Sequence, residues 1–460
     1  MRTKLTKQKQ GIKTIKLKPF EDMVHYQTMV EFQRRGLAVG AWLLKKNEQS
    51  PYVLTFGFEC PGIHSFLPKD KLFQAFESLE AGIKDFPQQE RITFHLGAYQ
   101  SDQSRQSHLS QLSHDAPTDE LRFLLHGEQQ RIRQLSQEGL REPKTLHIFV
   151  TYRTNKPNPH LDWLDRVVSQ LSNWTGKLSG QGQQRHQMSL SRTLRRAWGD
   201  GFVHWKQILE TKLGFRVQPL SAQGLWNYQW GRFNLSPAIE VPQTLVVAEQ
   251  SIQEQIRSAV HGTTLLMADG EPKFNRQWVQ LPSGQYLGVL AFWEKPGGWK
   301  DQQSQLHYLW EVVARDLVTD TEIITQVVPA DSELLKLSMR QLTKQTHGQA
   351  KRREQFNEID VGASLKAKGG VEAQERLLSG EIPFYTAVLV LVRRPSLEDL
   401  EEACRYVENC FHRPAWVVRE RQIAWKFWLQ SLLLTDENLL AMPFIQRRQL
   451  YLSSELPGLL

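Results

Sequence analysis

The sequence predicts an α+β fold, built from successive strand-helix-strand units of the split-βαβ, ferredoxin-like kind with a helical arm. Phe384 to Val392 is a continuous run of β-branched and apolar residues, which is typical of a buried strand. Ser396 lies three residues before Asp399, an N-cap pattern, and apolar residues then follow at helical spacing. This order of strand and helix recurs upstream, and the recurrence favours repeated units.

The C-terminal unit, residues 381–460, contains that first strand and helix. A short strand at 415–418 and a very apolar helix at about 422–434 follow Pro414. They complete a strand-helix-strand-helix unit.

The first unit, residues 21–118, has the same order. It has a strand at 52–59, a helix from Asp70 with apolar residues on one face, and an alternating strand at 92–96. Residues 100–117 are polar and rich in Ser, Gln and His, which predicts an exposed loop and a boundary.

Two further units and an arm fill the middle of the chain. The second, 119–240, has a charged helix at 119–138, a strand at 145–152, helices at 161–171 and 187–213 and a closing strand at 215–218. The third, 241–330, has short strands at 263–268 and 278–281, a longer strand at 286–293, a helix at 306–317 and a strand at 322–328. Residues 331–380 are polar and mostly helical, which predicts the arm.

Length and composition indicate a globular protein of roughly three domains. The chain has 460 residues, of which 40% are hydrophobic. No charge-free run of ~18 apolar residues and no secretion signal occur, so we expect a cytoplasmic protein. The three cysteines, Cys60, Cys404 and Cys410, show no metal-type pairing and are expected to be reduced structural thiols.

The net charge of +8 is concentrated in a basic tail, residues 1–20, which we expect to be disordered. Seven positive charges precede the first acidic residue, Glu21, and without them the chain carries +1. Such a tail is either simply solvated or attracts phosphates or anionic lipid. Its candidate contact residues are Lys4, Lys7, Lys9 and Lys13.

The motifs of common enzymes are missing from the sequence. Gly176-Lys177 lacks the other residues of a phosphate loop, and Asp269, which ends an apolar run, is interpreted as the start of a turn. The 14 histidines show no metal-binding spacing, and no Gly-x-Ser-x-Gly occurs. We therefore expect no catalytic residue, no cofactor and no metal site, although one sequence does not reveal sites assembled in space.

Residues 185–232 combine arginine with tryptophan. The arginines Arg192, Arg195 and Arg196 precede Trp198, and such a combination of basic and aromatic residues could bind single-stranded nucleic acid. The tryptophans also fall at core spacing, which favours an amphipathic helix whose arginines are solvated or contact a partner protein. A further basic group lies in the arm and consists of Lys351, Arg352 and Arg353.

Several phrases near the C-terminus carry a family resemblance. They are Trp428-Leu-Gln-Ser-Leu-Leu, Pro443-Phe-Ile-Gln-Arg-Arg448 and Tyr451-Leu-Ser-Ser-Glu-Leu-Pro-Gly-Leu-Leu460. They resemble the linker that leads into the motor domain in conjugative transfer ATPases of type IV secretion systems. Residues 56–96, 145–153 and 263–328 and the arm before Phe384 are also similar to the N-terminal region of that family, so the resemblance covers most of the chain.

The resemblance implies a function without catalysis. Motors of that family hydrolyse ATP as hexamers through a phosphate loop, which this chain lacks. The resemblance implies an assembly module that docks a separate or missing motor ATPase on the membrane-bound secretion or conjugation complex. The implied partners are the subunits of that complex, with a homo-oligomer and peripheral contact at the inner membrane face as added expectations. The alternative is a basic accessory protein that binds nucleic acid, which the near-neutral body disfavours.

Overall fold

The computed structural model describes residues 14–47, 50–60, 69–98, 103–138, 144–153, 190–191, 193–249, 251–293, 320–333, 335, 375–410, 417–436 and 448–459. They form a mixed α/β protein with one large, open and mostly antiparallel sheet. All strands named below belong to it.

The first elements include a tight hairpin. Arg35 and Gly36 both have positive φ, 51° and 76°, as a two-residue type I′ turn requires. In chain order the elements up to residue 153 are α1 (Phe20–Met23), β1 (Tyr26–Arg34), β2 (Leu37–Leu44), β3 (Val53–Glu59), α2 (Lys69–Ile83), β4 (Ile92–Ala98), α3 (Gln103–His114), α4 (Asp119–Gln137) and β5 (Lys144–Arg153).

The next segment depends on close backbone approaches. A Cβ on Gly201 would lie 2.9 Å from the ring of Tyr152, so glycine lets the helix lie directly on β5. Helix α5 spans residues 197–212 and consists of π-helical Ala197–Val203, α-helical His204–Gln207 and π-helical Ile208–Lys212. The elements that follow it are β6 (Gln218–Pro219), α6 (Ala222–Trp230), β7 (Gln243–Val247), β8 (Ile252–Ile256) and α7 (Gly262–Leu265).

The remaining elements complete the sheet. They are β9 (Lys273–Phe274), β10 (Trp278–Gln280), β11 (Tyr286–Phe292), β12 (Thr321–Pro329), β13 (Pro383–Arg394), α8 (Leu397–Cys410), β14 (Val417–Arg419), α9 (Ala424–Ser431), β15 (Gln449–Leu452) and a 3₁₀ turn (Pro457–Leu459). The predicted cap of α8 is confirmed, because the Asp399 N–H donates to Ser396 Oγ at 3.1 Å.

The strands lie in the order β8-β7-β1-β2-β3-β5-β4-β12-β13-β11-β10-β9. In addition, β6 pairs with β3, β14 with β11 and β15 with β13. Of the pairs in the described residues, only β1 with β7 is parallel. Helices α2, α5 and α8 pack on one face of the sheet and α6 and α9 on the other, so both faces carry an apolar core.

The arrangement from β1 to α6, here the N-terminal half, repeats from β9 to α9, the C-terminal half. In the N-terminal half β5 lies between β3 and β4, and in the C-terminal half β13 lies between β11 and β12. A short strand then pairs with β3 or β11, and α6 or α9 follows it. The halves join at the seam, the antiparallel pair of β4 with β12, where Leu96 faces Ile323.

Two predictions are wrong. Residues 100–117 include α3 and so are not a simple loop. The helix is stabilised by packing on α4, where Leu109 is buried. Residues 263–268 are not a strand, since α7 begins at Gly262 and His261 accepts the N–H of Thr263 as an N-cap. The predicted helices at 161–171 and 306–317, most of the arm and the first 13 residues lie outside the described residues.

Candidate functional site

Helices α3 and α4 form a hairpin whose contacts are partly polar. Thr118 caps α4 by accepting the N–H of Leu121 at 3.3 Å. Buried Gln129 donates to Ser110 Oγ at 2.7 Å and to the Gln106 carbonyl at 3.2 Å, which joins the two helices. Leu109 and Ile132 supply the buried apolar contact between them. Hydrogen bonds and apolar contacts thus join α3 to α4.

The end of this hairpin near the connecting loop exposes large apolar side chains. We call this group the hairpin tip: Leu112 (42% exposed), Leu121 (40%), Phe123 (77%) and Leu124 (65%). All four lie within about two helical turns of the loop. Phe123 and Leu124 are neighbours in the chain, and a contiguous exposed apolar patch is typical of a contact site for another protein. The hairpin tip is the first candidate docking site.

A second candidate is a buried polar cluster at the seam between the halves. The Glu322 carboxylate on β12 is fully buried and accepts from Arg393 Nη2 at 2.5 Å and Arg232 Nη2 at 3.2 Å, while His95 Nε2 lies 3.0 Å from it. The other His95 nitrogen contacts the Tyr228 hydroxyl, and Arg232 donates to the Ser431 carbonyl at 2.9 Å. The seam cluster therefore links β4, β12, β13, α6 and α9.

The electrostatics of the seam cluster follow from burial and from compensating charge. The Arg393 and Arg232 guanidiniums outweigh desolvation and hold the pKa of Glu322 well below its ordinary value. Burial lowers the pKa of His95 although Glu322 opposes the change. Burial also lowers the pKa of nearby His147 to about 3. Glu322 is thus the anion of the cluster and both histidines are neutral near pH 7.

The seam cluster is suited to holding parts together. Glu322, His95 and Arg232 are each at most 3% exposed. A carboxylate with three cationic or imidazole partners resembles general acid-base machinery, but a substrate needs access to the reacting atoms. Removing one partner of a buried ion pair leaves an uncompensated buried charge and is strongly destabilising. We therefore interpret the cluster as structural.

Few of the sequence-predicted contact residues can be placed. Arg195 and Arg196 are exposed on the helical residues that lead into α5. The other candidates have no described side chain: Lys4, Lys7, Lys9, Lys13, Arg192, Lys351, Arg352 and Arg353. A role of these residues in binding a partner or phosphate stays a prediction.

The tryptophans near those arginines are mostly core residues. Trp205 is fully buried and donates to Glu90 Oε2 at 2.6 Å. Trp226 and Trp230 are 2% and 3% exposed. Trp198 is partly exposed, and the Arg34 guanidinium lies 5.5 Å from its ring centre. The core interpretation of the tryptophan spacing is confirmed for the three buried rings.

Sequence reasoning missed both the hairpin tip and the seam cluster. The tip had a signal, since Leu-Arg-Phe-Leu-Leu at 121–125 is too apolar for a helix that is otherwise charged. The cluster had only a weak signal, the single carboxylate of Glu322 in the predicted strand at 322–328. Its partners are more than sixty residues away in the chain, so no local pattern joins them.

Comparisons with known proteins add no assignment. No protein-family model matches the chain, and no curated protein sequence matches it. Among the described residues, no helix combines the length and apolar character needed to cross a membrane. The case for a function therefore rests on the geometry of the chain's own residues.

Proposed function

We propose that the protein is a non-catalytic assembly module of a conjugative DNA transfer or type IV secretion apparatus. It docks a separate motor ATPase on the membrane-bound complex. The observation that carries the proposal is the hairpin tip, where Phe123 and Leu124 are 77% and 65% exposed on helices that pack mainly on each other. The resemblance of the C-terminal phrases to a linker before a motor supplies the class of partner.

The composition of the hairpin supports protein contact over nucleic acid contact. Asp119 and Glu120 precede the hairpin tip, and Arg122 is already paired with Asp119 at 2.9 Å. A phosphate backbone requires uncompensated cations, whereas an apolar groove accepts Phe and Leu and excludes water around them. The tip thus fits a protein partner with an apolar groove.

We further propose that each half derives from one split-βαβ, ferredoxin-like unit. The position of β5 between β3 and β4, and of β13 between β11 and β12, supports this origin. Small sheets of this kind often pair through their edges, as β4 and β12 do.

The test is co-expression with a phosphate-loop motor ATPase of a conjugative transfer system. The wild-type chain is expected to co-purify with the motor and to turn over no ATP by itself. The double variant F123D/L124D places carboxylates in the contact and should weaken association by about tenfold or more. L378D, which changes another leucine that is 70% exposed, is the matched control and should bind normally.

Two results would contradict the proposal. One is saturable ATP turnover that stays with the chain through purification. The other is equal motor binding by wild type and F123D/L124D. Circular dichroism of all variants checks that the fold is unchanged.

A further inference from the structure

The two edge strands of the sheet, β9 and β8, differ in length and in what lies beside them. At one end, β9 has two residues, and the Ile15 N–H donates to the Phe274 carbonyl at 2.8 Å, so a preceding segment of the chain lies along that strand. At the other end, β8 pairs with β7 over five consecutive residues without a bulge. All five side chains of β8 are exposed. One edge is short and covered, and the other is regular and bare.

The register shows which backbone groups of β8 face away from β7. Ala248 N–H donates to the Ser251 carbonyl at 2.9 Å, and Arg257 N–H donates to the Pro242 carbonyl at 2.8 Å. Hydrogen-bonded pairs alternate along an antiparallel ladder, so Gln253 and Gln255 also bond to β7. The N–H and C=O groups of Ile252, Glu254 and Ile256 therefore point outward.

β8 lacks most of the usual protections of an edge strand. Edges are normally protected by charged side chains, above all lysine, by proline, by a bulge or by a covering element, and in the described residues β8 carries only the charge of Glu254. The sequence Ile-Gln-Glu-Gln-Ile at 252–256 contains no lysine and no proline, and within the described residues β8 has no second neighbouring strand. Such an edge can accept an added strand through its backbone.

The side chains of β8 indicate which residue types an added strand would carry. Ile252, Glu254 and Ile256 lie on one face of β8, and Glu249 is exposed in the loop before it. Arg257, the nearest cation in sequence, is already paired with Glu240. A partner strand places one residue opposite Glu254, and opposite charges in that position are stabilising. That residue is best a lysine or an arginine. The residues two positions before and after it lie opposite the two isoleucines of β8 and are best β-branched.

A second copy of this chain fits the edge poorly. Symmetric antiparallel pairing of two β8 strands over their full length puts Ile252 opposite Ile256 and Glu254 opposite Glu254 of the second copy. Like charges directly opposite each other destabilise a strand pair. The edge thus favours a different polypeptide.

We propose that β8 binds an extended segment of another protein by strand addition, and that this segment carries a basic residue opposite Glu254 and β-branched residues on either side. This surface is separate from the hairpin tip, so it stands or fails independently of the docking function.

The test selects short random peptides on phage against the full-length wild-type chain and measures their affinity by fluorescence polarisation. Enriched peptides should alternate β-branched and polar residues around a lysine or arginine. E254P removes an outward N–H without removing a bond to β7 and should weaken binding about tenfold or more. E254T keeps that N–H and should retain binding while losing the preference for basic peptides.

Three controls make the outcome decisive. The unfolding midpoints of E254P and wild type should agree, because the N–H at 254 makes no ladder bond. E254K should favour acidic peptides. Failure to enrich any peptide, or equal binding by wild type and E254P, overturns the proposal, and so does a wild-type dimer in sedimentation that E254P dissociates.

Discussion

The N-terminal and C-terminal halves share one order of strands and helices but supply different side chains to the seam cluster. The N-terminal half contributes His95, Tyr228 and Arg232, and the C-terminal half contributes the carboxylate of the cluster, Glu322, together with Arg393. Two copies of the N-terminal half would leave two Arg232 guanidiniums buried without an anion, whereas the C-terminal half supplies the carboxylate that pairs with Arg232. The difference teaches that the halves have become complementary, so that neither replaces the other.

Removal of the Glu322 charge should have the largest effect on this complementarity. E322Q leaves Arg232 and Arg393 buried without an anion, and we expect a loss of about 3–5 kcal/mol in the free energy of unfolding. Urea denaturation measures it. The control E240Q breaks an exposed ion pair with Arg257 and should cost about 1 kcal/mol or less. Equal losses in both variants would show that the seam cluster does not join the halves.

Matched substitutions in α6 and α9 sharpen the structural likeness of the halves. Ala222 and Ala424 each begin their helix and are 3% and 0% exposed. A222V and A424V overfill similar spaces and should each cost about 1–3 kcal/mol by urea denaturation. The exposed A81V in α2 is the control, with little change expected. A tolerated change in one half alone would mean that the two helices pack differently.

The pH dependence tests the half that carries the histidines. Because the pKa of His95 is lowered in the folded state, the unfolded chain binds more protons, and stability is complete above pH 6.5 and falls as the pH falls. His95 should therefore contribute part of the stability that is lost as the pH falls below 6.5. H95Q should remove that share of the slope in denaturation at each pH, while H204Q, at an exposed histidine, should leave it. An unchanged slope in H95Q would place the proton uptake elsewhere.

Local patterns predicted much of the fold. The strands at 52–59, 145–152 and 322–328 match β3, β5 and β12 within two residues, since each is an apolar run bounded by polar residues. The helix at 119–138 matches α4 because Thr118 and the acidic first turn set its start. Elements of this kind need only local information.

Other parts were beyond local reasoning. The β1–β2 hairpin was missed because its turn, Arg35-Gly36, uses an unusual arginine with positive φ. The sequence predicts a loop at helix α3 because the segment is polar, and the burial of Leu109 depends on α4. The seam cluster and the pairing of β4 with β12 depend on residues that meet only in the folded chain.

The seam also sets an order of events during synthesis. Strand β12 begins 223 residues after β4 ends, so a ribosome working at about 5–20 residues per second needs on the order of ten to forty seconds to supply it. Throughout that interval the N-terminal half has an open strand, β4, that presents His95 before the Glu322 carboxylate exists. The nascent chain is then most exposed to wrong pairing, and a chaperone that shields β4 would act in this period.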